Sequence, residues 1–144
     1  MAEPSSALLM FISARHAEGR IHDAVHGAGY RDITPAMARI AGQIAEEGSR
    51  VTELAERCRI TKQSASELVG QLERAGYVSR VTDPGDARAK LVILAARGRA
   101  VQRVAKREER AIEREWARHL GADGITALRA ALTELRSITD PYLD

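Results

Sequence analysis

The stretch VTELAERCRITKQSASELVGQLERAGYVSRVTDPGDARAKLVILA, residues 51–95, decides the fold of this chain. Hydrophobic side chains recur at helical spacing over residues 52–57 and again over residues 62–75. Two runs of strand-forming residues follow, at 77–82 and 89–95. Two short helices followed by a β-hairpin are the order of elements in a winged helix-turn-helix, which inserts its second helix into the major groove of DNA.

The junctions between these elements have suitable residue types. Arg59 and Ile60 form the turn between the helices, and the hydroxyl of Thr61 can cap the second helix. Gly76 ends that helix. The six residues 83–88, Asp-Pro-Gly-Asp-Ala-Arg, are rich in turn formers and predict the loop of the hairpin.

The second helix has an apolar face and a polar face. Ala65, Leu68, Val69 and Leu72 share the apolar face at helical spacing. The polar face suits groove entry, because Gln can pair with adenine, Ser can donate or accept, and Lys can reach guanine or phosphate. An ordinary solvated helix face is the alternative for this helix taken alone. The DNA contacts predicted here are Thr61, Lys62, Gln63, Ser64, Ser66, Glu67 and Gln71.

The hairpin carries basic residues on both sides of its turn. Arg80 precedes the turn, and Arg88 and Lys90 follow it. An arginine at a wing tip can enter a narrow minor groove, where the electrostatic potential is most negative. Asp86 stands two residues before Arg88 and is predicted to pair with its guanidinium. These four residues complete the predicted DNA-binding set, against the alternative of a solvent-exposed turn with an incidental ion pair.

Composition agrees with a folded protein of 144 residues, with 44% hydrophobic and 29% charged side chains. Positive charge is concentrated in the middle of the chain: residues 49–95 carry a net +2 and residues 96–118 a net +4, whereas residues 1–48 and 119–144 each carry −2. This distribution favours a nucleic-acid face. A single cysteine, no apolar run of membrane-spanning length and no signal peptide predict a cytoplasmic protein that does not enter a membrane.

Helices are predicted on both sides of the winged module. The first, residues 5–26, has Leu8, Phe11, Ile12, Ile21 and Val25 as candidate buried positions. The next begins at Pro35 with Thr34 as its cap, buries Met37, Ile40, Ala41 and Ile44, and ends at Gly48. A long helix from about Gly98 is broken at Gly121. The final helix bears an apolar seam of Ile125, Leu128, Leu132, Leu135 and Ile138.

This pattern predicts a mainly α chain with a small β-hairpin wing and a helical dimerisation region. The expected divisions are residues 1–33 for the N-terminal dimerisation helix, 34–95 for the winged module and 96–144 for the C-terminal dimerisation helices. The apolar stripes of the outer helices are expected to pack against each other and against a second subunit.

The segment TELAERCRITKQSASELVGQLERAGYVSRVTDPGDARAKLVILAARGRA closely resembles the winged helix of the MarR family of regulators. The resemblance rests on the ELAER helix, the polar helix ending in LERAGYV, and Asp-Pro-Gly-Asp followed by Arg88 and a strand. It implies a homodimer that recognises a pseudo-palindromic double-stranded operator, usually to repress, and is released by a small ligand. Glu67 and Ala87 depart from the family, in which arginine is common at both places, so the family's base preference does not carry over to position 67.

The same resemblance, with cationic and titratable groups on apolar helices, predicts a site for an anionic aromatic effector. Its candidate ligands are Arg15, His22, His26 and Arg39, where the first, second and fifth helices meet the winged module. His22 and His26 also have the i, i+4 spacing of a zinc pair, but no third ligand is evident, so neither a metal nor another cofactor is expected.

Other functions stay open as alternatives. A metal-responsive regulator would use His22 and His26, a ligand-binding helical protein would have lost specific DNA binding through Glu67, and a small zinc hydrolase would be built on the same two histidines. Cys58 is expected to pack as a small hydrophobic side chain. No complete catalytic motif is present, and the chain is therefore predicted not to be an enzyme.

Overall fold

The computed structural model describes residues 2–143, which form helices and one β-hairpin. The chain divides into two compact units, the first ending at Lys106 and the second beginning at Arg107. The mainly α fold with a hairpin wing is confirmed. The elements are α1 (Ser6–Gly27), α2 (Pro35–Ala41), α3 (Val51–Cys58), α4 (Lys62–Arg74), β1 (Val78–Asp83), β2 (Asp86–Leu94) and α5 (Ala96–Thr139).

Side-chain caps set where α1 and α2 begin. The hydroxyl of Ser5 accepts a hydrogen bond from the Leu8 backbone N–H at 3.2 Å, and the hydroxyl of Thr34 accepts one from the Met37 N–H at 3.2 Å. Pro35 occupies the first turn of α2, where its missing N–H has no partner to lose. The predicted Thr34 cap is confirmed.

The predicted end of α2 at Gly48 is wrong, because the helix stops at Ala41. The chain tightens after Gly42, where the Ile44 N–H bonds to the Ala41 carbonyl three residues back. This turn keeps Ile44 buried and directs the chain towards the hairpin. Ser49 then exchanges two backbone hydrogen bonds with Val92 of β2, at 3.0 and 2.8 Å.

The junction between α3 and α4 is a left-handed turn. Arg59 adopts φ 53° and ψ 45°, and the Ile60 N–H bonds back to the Ala55 carbonyl at 3.1 Å, which satisfies the end of α3. The hydroxyl of Thr61 accepts from the Ser64 N–H at 3.0 Å and caps α4, as predicted. Ala65, Val69 and Leu72 of α4 have no solvent-accessible surface and form the centre of the core with Leu54 of α3.

The hairpin is tighter than predicted, since only Pro84 and Gly85 separate β1 from β2. The two strands are antiparallel, with a register shift between Thr82 and Asp83. The prediction of a six-residue loop at 83–88 is therefore wrong. Side chains at the turn explain the difference: Oδ1 of Asp83 accepts from the Gly85 N–H at 2.9 Å, and Oδ1 of Asp86 accepts from the Arg88 N–H at 3.0 Å.

Several apolar side chains near the ends of the chain are exposed. Leu8, Phe11 and Ile12 of α1 are 47%, 57% and 55% exposed, so their predicted burial is wrong for a single chain; Val25 of the same helix is buried and Ile21 is half-buried. In the second unit, the seam residues Leu132, Leu135 and Ile138 are also exposed. Gly121 has φ 79° and ψ 167° and interrupts the helical backbone of α5, as predicted.

The first turn of α5 packs directly on the backbone that follows α4. The Ala95 N–H bonds to the Tyr77 carbonyl at 2.9 Å. A Cβ atom built on Gly98 would lie 2.2 Å from that same carbonyl oxygen, so only glycine fits at this position. The close approach fixes the start of α5 against the segment between α4 and β1.

Arg97 binds the same region from the other side. Its guanidinium donates to the Ala75 carbonyl at 2.6 Å and to the Asp32 carboxylate at 3.0 and 3.2 Å, and it lies over the Tyr77 ring at 4.2 Å. The Tyr77 hydroxyl donates to Asp32. Burial, aided by this bond, raises the pKa of Tyr77 to about 12, and the Arg97 guanidinium lowers the pKa of Asp32. The end of α4 is thus joined to the α1–α2 loop and to α5.

The contact at Gly98 predicts the result of Gly98→Ala. Because the new methyl group would meet backbone rather than a movable side chain, we expect a loss of about 1–3 kcal/mol in the free energy of unfolding, measured in urea. Gly19→Ala is the matched control: no atom lies within 4 Å of its Cβ position in α1, and it should gain about 0.5–1 kcal/mol. Equal stability of Gly98→Ala and the wild type would contradict the packing described.

Candidate nucleic-acid interface

The outward face of α4 carries the polar side chains that the sequence predicted. Two of them have local roles, because the Thr61 hydroxyl caps the helix and also donates to Oγ of Ser64 at 2.9 Å. Since Thr61 and Ser64 are partly engaged in this cap, Gln63 and Ser66 are the groups on the first two turns best placed to contact a base. All seven are exposed: Thr61, Lys62, Gln63, Ser64, Ser66, Glu67 and Gln71.

The basic residues of the wing have different surroundings. The Arg80 Nε lies 3.5 Å from a carboxylate oxygen of Glu73, which partly offsets its charge. The Lys90 ammonium donates to the Thr82 hydroxyl on the opposite strand at 3.0 Å. Arg88 is exposed, and its guanidinium forms no ion pair within residues 2–143. Arg88 is therefore the wing cation most available to an external anion.

The predicted pairing of Asp86 with the Arg88 guanidinium is wrong. Asp86 instead accepts from the backbone N–H of Arg88, and its second carboxylate oxygen lies 3.8 Å from Nη2 of Arg50. Asp86 shapes the strand at Arg88 without neutralising the side chain. Two donors of Arg88, its backbone N–H and its guanidinium, could bind Asp86. The short Asp86 side chain reaches the backbone N–H two residues ahead more easily than the end of the long arginine side chain.

Arg50 is a residue of this region that the sequence did not indicate. It precedes α3, and its Nε and Nη2 donate to one oxygen of Asp83 at 3.2 and 2.7 Å. The guanidinium keeps the pKa of the Asp83 carboxyl below its usual range. The contact joins residues far apart in sequence, and it exists because the Ser49–Val92 bridge brings the start of α3 alongside the hairpin. No local pattern could have revealed it.

A pocket of about 670 Å³ lies between α1 and α2. Arg15, His22 and Arg39, three of the four residues predicted to bind an effector, line it. The fourth, His26, is not in the lining: its Nε2–H donates to the Ile33 carbonyl at 2.9 Å, and its ring lies 4.0 Å from that of His22. The other lining residues are Phe11, Glu18, Gly19, Pro35 and Ala38.

The two arginines of the pocket differ in charge compensation. Arg39 donates to the Glu18 carboxylate at 3.1 and 2.9 Å, so its charge is largely offset. Arg15 lies over the Phe11 ring, 5.6 Å from the ring centroid, and has no carboxylate partner in the described part of the chain. An anion entering the pocket would meet Arg15 as the uncompensated positive charge, next to an aromatic surface.

Comparison with known proteins agrees with this geometry. Residues 31–89, which contain α2, α3, α4 and most of the wing, match the model of the MarR family. Over these residues the winged module of this chain is similar to the MarR family. The resemblance inferred from the sequence is thereby confirmed. A comparison with curated protein sequences gave no significant match.

MarR-family regulators of known structure share the fold over nearly the whole chain. Apo MarR from E. coli is 19% identical, with a TM-score of 0.73 over 94% of this chain and 98% of that one. CouR from Rhodococcus jostii, bound to p-coumaroyl-CoA, is 22% identical, with a TM-score of 0.70 over 96% and 94%. A point mutant of MepR from S. aureus, bound to an oligodeoxyribonucleotide, is 20% identical, with a TM-score of 0.60 over 94% and 98%.

The histidine pair of α1 and the single cysteine, Cys58, are the remaining candidate groups of this chain. Within residues 2–143, no cluster of three or more His, Cys, Asp or Glu side chains could hold a metal ion. The His26 ring already uses one nitrogen on the Ile33 carbonyl. Cys58 is half-buried, lies 3.8 Å from the Arg39 carbonyl oxygen, and has a pKa raised by burial, which disfavours the reactive thiolate.

None of the helices described in residues 2–143 combines the length and hydrophobicity needed to cross a bilayer.

Proposed function

We propose that this protein is a sequence-specific DNA-binding transcriptional regulator. The observation that carries the proposal is the recognition surface: α4 presents a row of exposed polar side chains, and the wing beside it presents the unpaired Arg88. In this docking mode α4 enters the major groove and the wing reaches the flanking backbone or minor groove. The oligodeoxyribonucleotide bound to the related MepR mutant supports the assignment.

The regulator acts as a homodimer on a pseudo-palindromic operator. Leu8, Phe11 and Ile12 of α1, and Leu132 and Leu135 of α5, are too exposed for an isolated subunit. Burying them between two copies would form the helical dimerisation region from residues 1–33 and 96–144, leaving residues 34–95 as the DNA-binding module. Two copies of α4 related by a twofold axis would read two half-sites.

The regulator acts as a ligand-responsive repressor in the cytoplasm and has no enzymatic activity. The pocket between α1 and α2 supports the ligand response, because it combines apolar walls with an uncompensated arginine. A small anionic aromatic compound has the matching chemistry. Such a ligand would bind one of two conformations of the dimer more tightly. The population would shift towards that conformation, in which the two recognition helices have a different spacing, and operator binding would weaken. The p-coumaroyl-CoA held by the related CouR supports a small-molecule effector.

The dimer predicts the mass of the protein in solution. Light scattering at micromolar concentration should give about twice 15.7 kDa, because an obligate interface commonly buries ~2,000 Å² or more. Ile12→Glu should shift the equilibrium towards the monomer, since it places a charge on the exposed apolar surface of α1. A wild-type protein that stayed monomeric would remove the basis for the homodimer.

The recognition surface predicts separate signatures for specificity and affinity. Gln63→Ala should weaken binding to the operator by roughly 1–3 kcal/mol and leave binding to scrambled DNA almost unchanged, because Gln63 reads a base. Arg88→Ala should weaken binding to both and lower the salt slope by about one unit per lost phosphate contact.

Titrations at several salt concentrations, on a duplex selected from random DNA and on its scrambled version, distinguish the two signatures. If Arg88→Ala changed neither the affinity nor the salt slope, the wing would not touch DNA, and this docking mode would be refuted.

The pocket predicts which arginine holds an effector. Phenolic carboxylates would be screened for binding by calorimetry. Those that bind the wild-type protein should bind Arg15→Ala about tenfold or more weakly, because the Arg15 guanidinium has no carboxylate partner within the described part of the protein. Arg39→Ala should lose less, since Glu18 already offsets Arg39. An effector that dissociated the protein from DNA equally well in wild type and Arg15→Ala would place the anion elsewhere.

A further inference from the structure

We propose that Arg50 is a positioning residue for DNA binding, which holds the wing turn in the shape that presents Arg88. The inference deepens the proposed function and rests on it, because it concerns how the wing meets DNA. Arg50 itself lies outside the wing, immediately before α3, and acts through the two aspartates at the turn.

The geometry is that of one guanidinium between two carboxylates. Nε and Nη2 of Arg50 both contact Oδ2 of Asp83, at 3.2 and 2.7 Å. The same Nη2 lies 3.8 Å from Oδ2 of Asp86. Asp83 ends β1 and Asp86 begins β2, so Arg50 faces both ends of the two-residue turn at once.

Each aspartate uses its other oxygen to hold the wing backbone. Oδ1 of Asp83 accepts from the Gly85 N–H, and Oδ1 of Asp86 accepts from the Arg88 N–H. Each carboxylate therefore connects Arg50 to one backbone amide of the turn. The contacts therefore fix the backbone of Arg88, whose N–H donates to Asp86. The Arg88 guanidinium has no ion pair inside the described chain.

Within residues 2–143 the Arg50 side chain makes no hydrogen bond to α3, although its guanidinium also interacts electrostatically with Glu53 in the first turn of that helix. Although Arg50 occupies the N-cap position, its side chain makes no capping hydrogen bond. Replacing it with glutamine therefore removes no helix cap. At this contact the Asp83 side chain is 17% exposed and the Arg50 side chain 41% exposed, so solvent screens the ion pair in part, and less than it would screen a fully exposed surface pair.

Arg50 also changes the electrostatics of the turn itself. Without it, the carboxylates of Asp83 and Asp86 would lie within two residues of Gly85 with no guanidinium between them. Mutual repulsion of the two carboxylates would favour opening of the turn. The Arg50 guanidinium removes this repulsion while keeping the carboxylate oxygens as acceptors for the backbone.

The first experiment examines the free protein, without DNA. The amides of Gly85 and Arg88 are observed by NMR in wild type and Arg50→Gln, with Arg103→Gln as a matched control. Arg103 is exposed on α5 and has no ion pair or hydrogen bond through its side chain in the described chain, so its replacement removes one positive charge without breaking a polar contact. We expect faster hydrogen exchange at both amides in Arg50→Gln alone. Unchanged exchange there would overturn the positioning role.

The second experiment is a double-mutant cycle between Arg50→Gln and Arg88→Ala, measured on the duplex that the wild-type protein selects from random DNA. Acting through Arg88, Arg50→Gln should weaken binding about 3- to 10-fold in the wild-type background and hardly at all in the Arg88→Ala background. Equal losses in both backgrounds would mean that Arg50 contacts DNA independently, which would overturn the proposal.

Arg50→Lys separates shape from charge, since lysine retains the positive charge but lacks the planar fork that binds both aspartates. A loss close to that of Arg50→Gln supports positioning, and full recovery would overturn it. Failure of the wild-type protein to select any duplex would refute the proposed function and with it the DNA role of Arg50. If the wild-type protein does select a duplex, but the effects of Arg50→Gln and Arg88→Ala on binding are additive, only the role of Arg50 would be refuted.

Discussion

The contact between Gly98 and the Tyr77 carbonyl is the constraint on which the first unit depends. Because Gly98 has no side chain, the backbone of α5 can approach the segment after α4 more closely than any other residue would allow. Arg97, the preceding residue, reaches from there to Ala75 and Asp32. One short stretch of chain therefore sets the positions of the end of α4, the start of the hairpin and the α1–α2 loop. The orientation of α4 follows from this junction.

The two halves of the candidate DNA surface are held by different forces. Ala65, Val69 and Leu72 anchor α4 through complete burial, which salt does not screen. The wing turn is held by Arg50, Asp83 and Asp86 through charge. Added salt should therefore loosen the shape of the wing, as well as weaken phosphate contacts, while leaving α4 in place.

The sequence was most informative where short-range chemistry determines structure. The caps at Thr34 and Thr61, the turn at Arg59 and the break at Gly121 each depend on a few neighbouring residues, and all four are found in the structure. The polar face of α4 follows equally from helical spacing. Its predicted contacts with DNA stay predictions.

Features set by long-range contacts could not be predicted in the same way. The helical pattern continued to Ile44, but pairing of Ser49 with Val92 drew the chain out of α2. Arg50 was overlooked because its partners lie in the wing. Leu8 was a candidate buried position, and the single chain leaves it 47% exposed; its burial between two subunits stays a prediction. His26 had the right spacing for the pocket, yet the nearby Ile33 carbonyl takes its ring nitrogen.

The bridge between Ser49 and Val92 has a consequence for partial unfolding. Val92 is paired on its other side with Arg80 in a hairpin closed by a two-residue turn, so the hairpin needs only local chain closure. The bridge joins residues that are distant in sequence, and its entropy of closure is correspondingly larger. The segment before α3 can therefore detach while the hairpin remains paired, whereas opening of β2 at Val92 releases both. Amide exchange at both Ser49 and Val92 would then report the smaller opening, because each N–H donates to the carbonyl of the other residue.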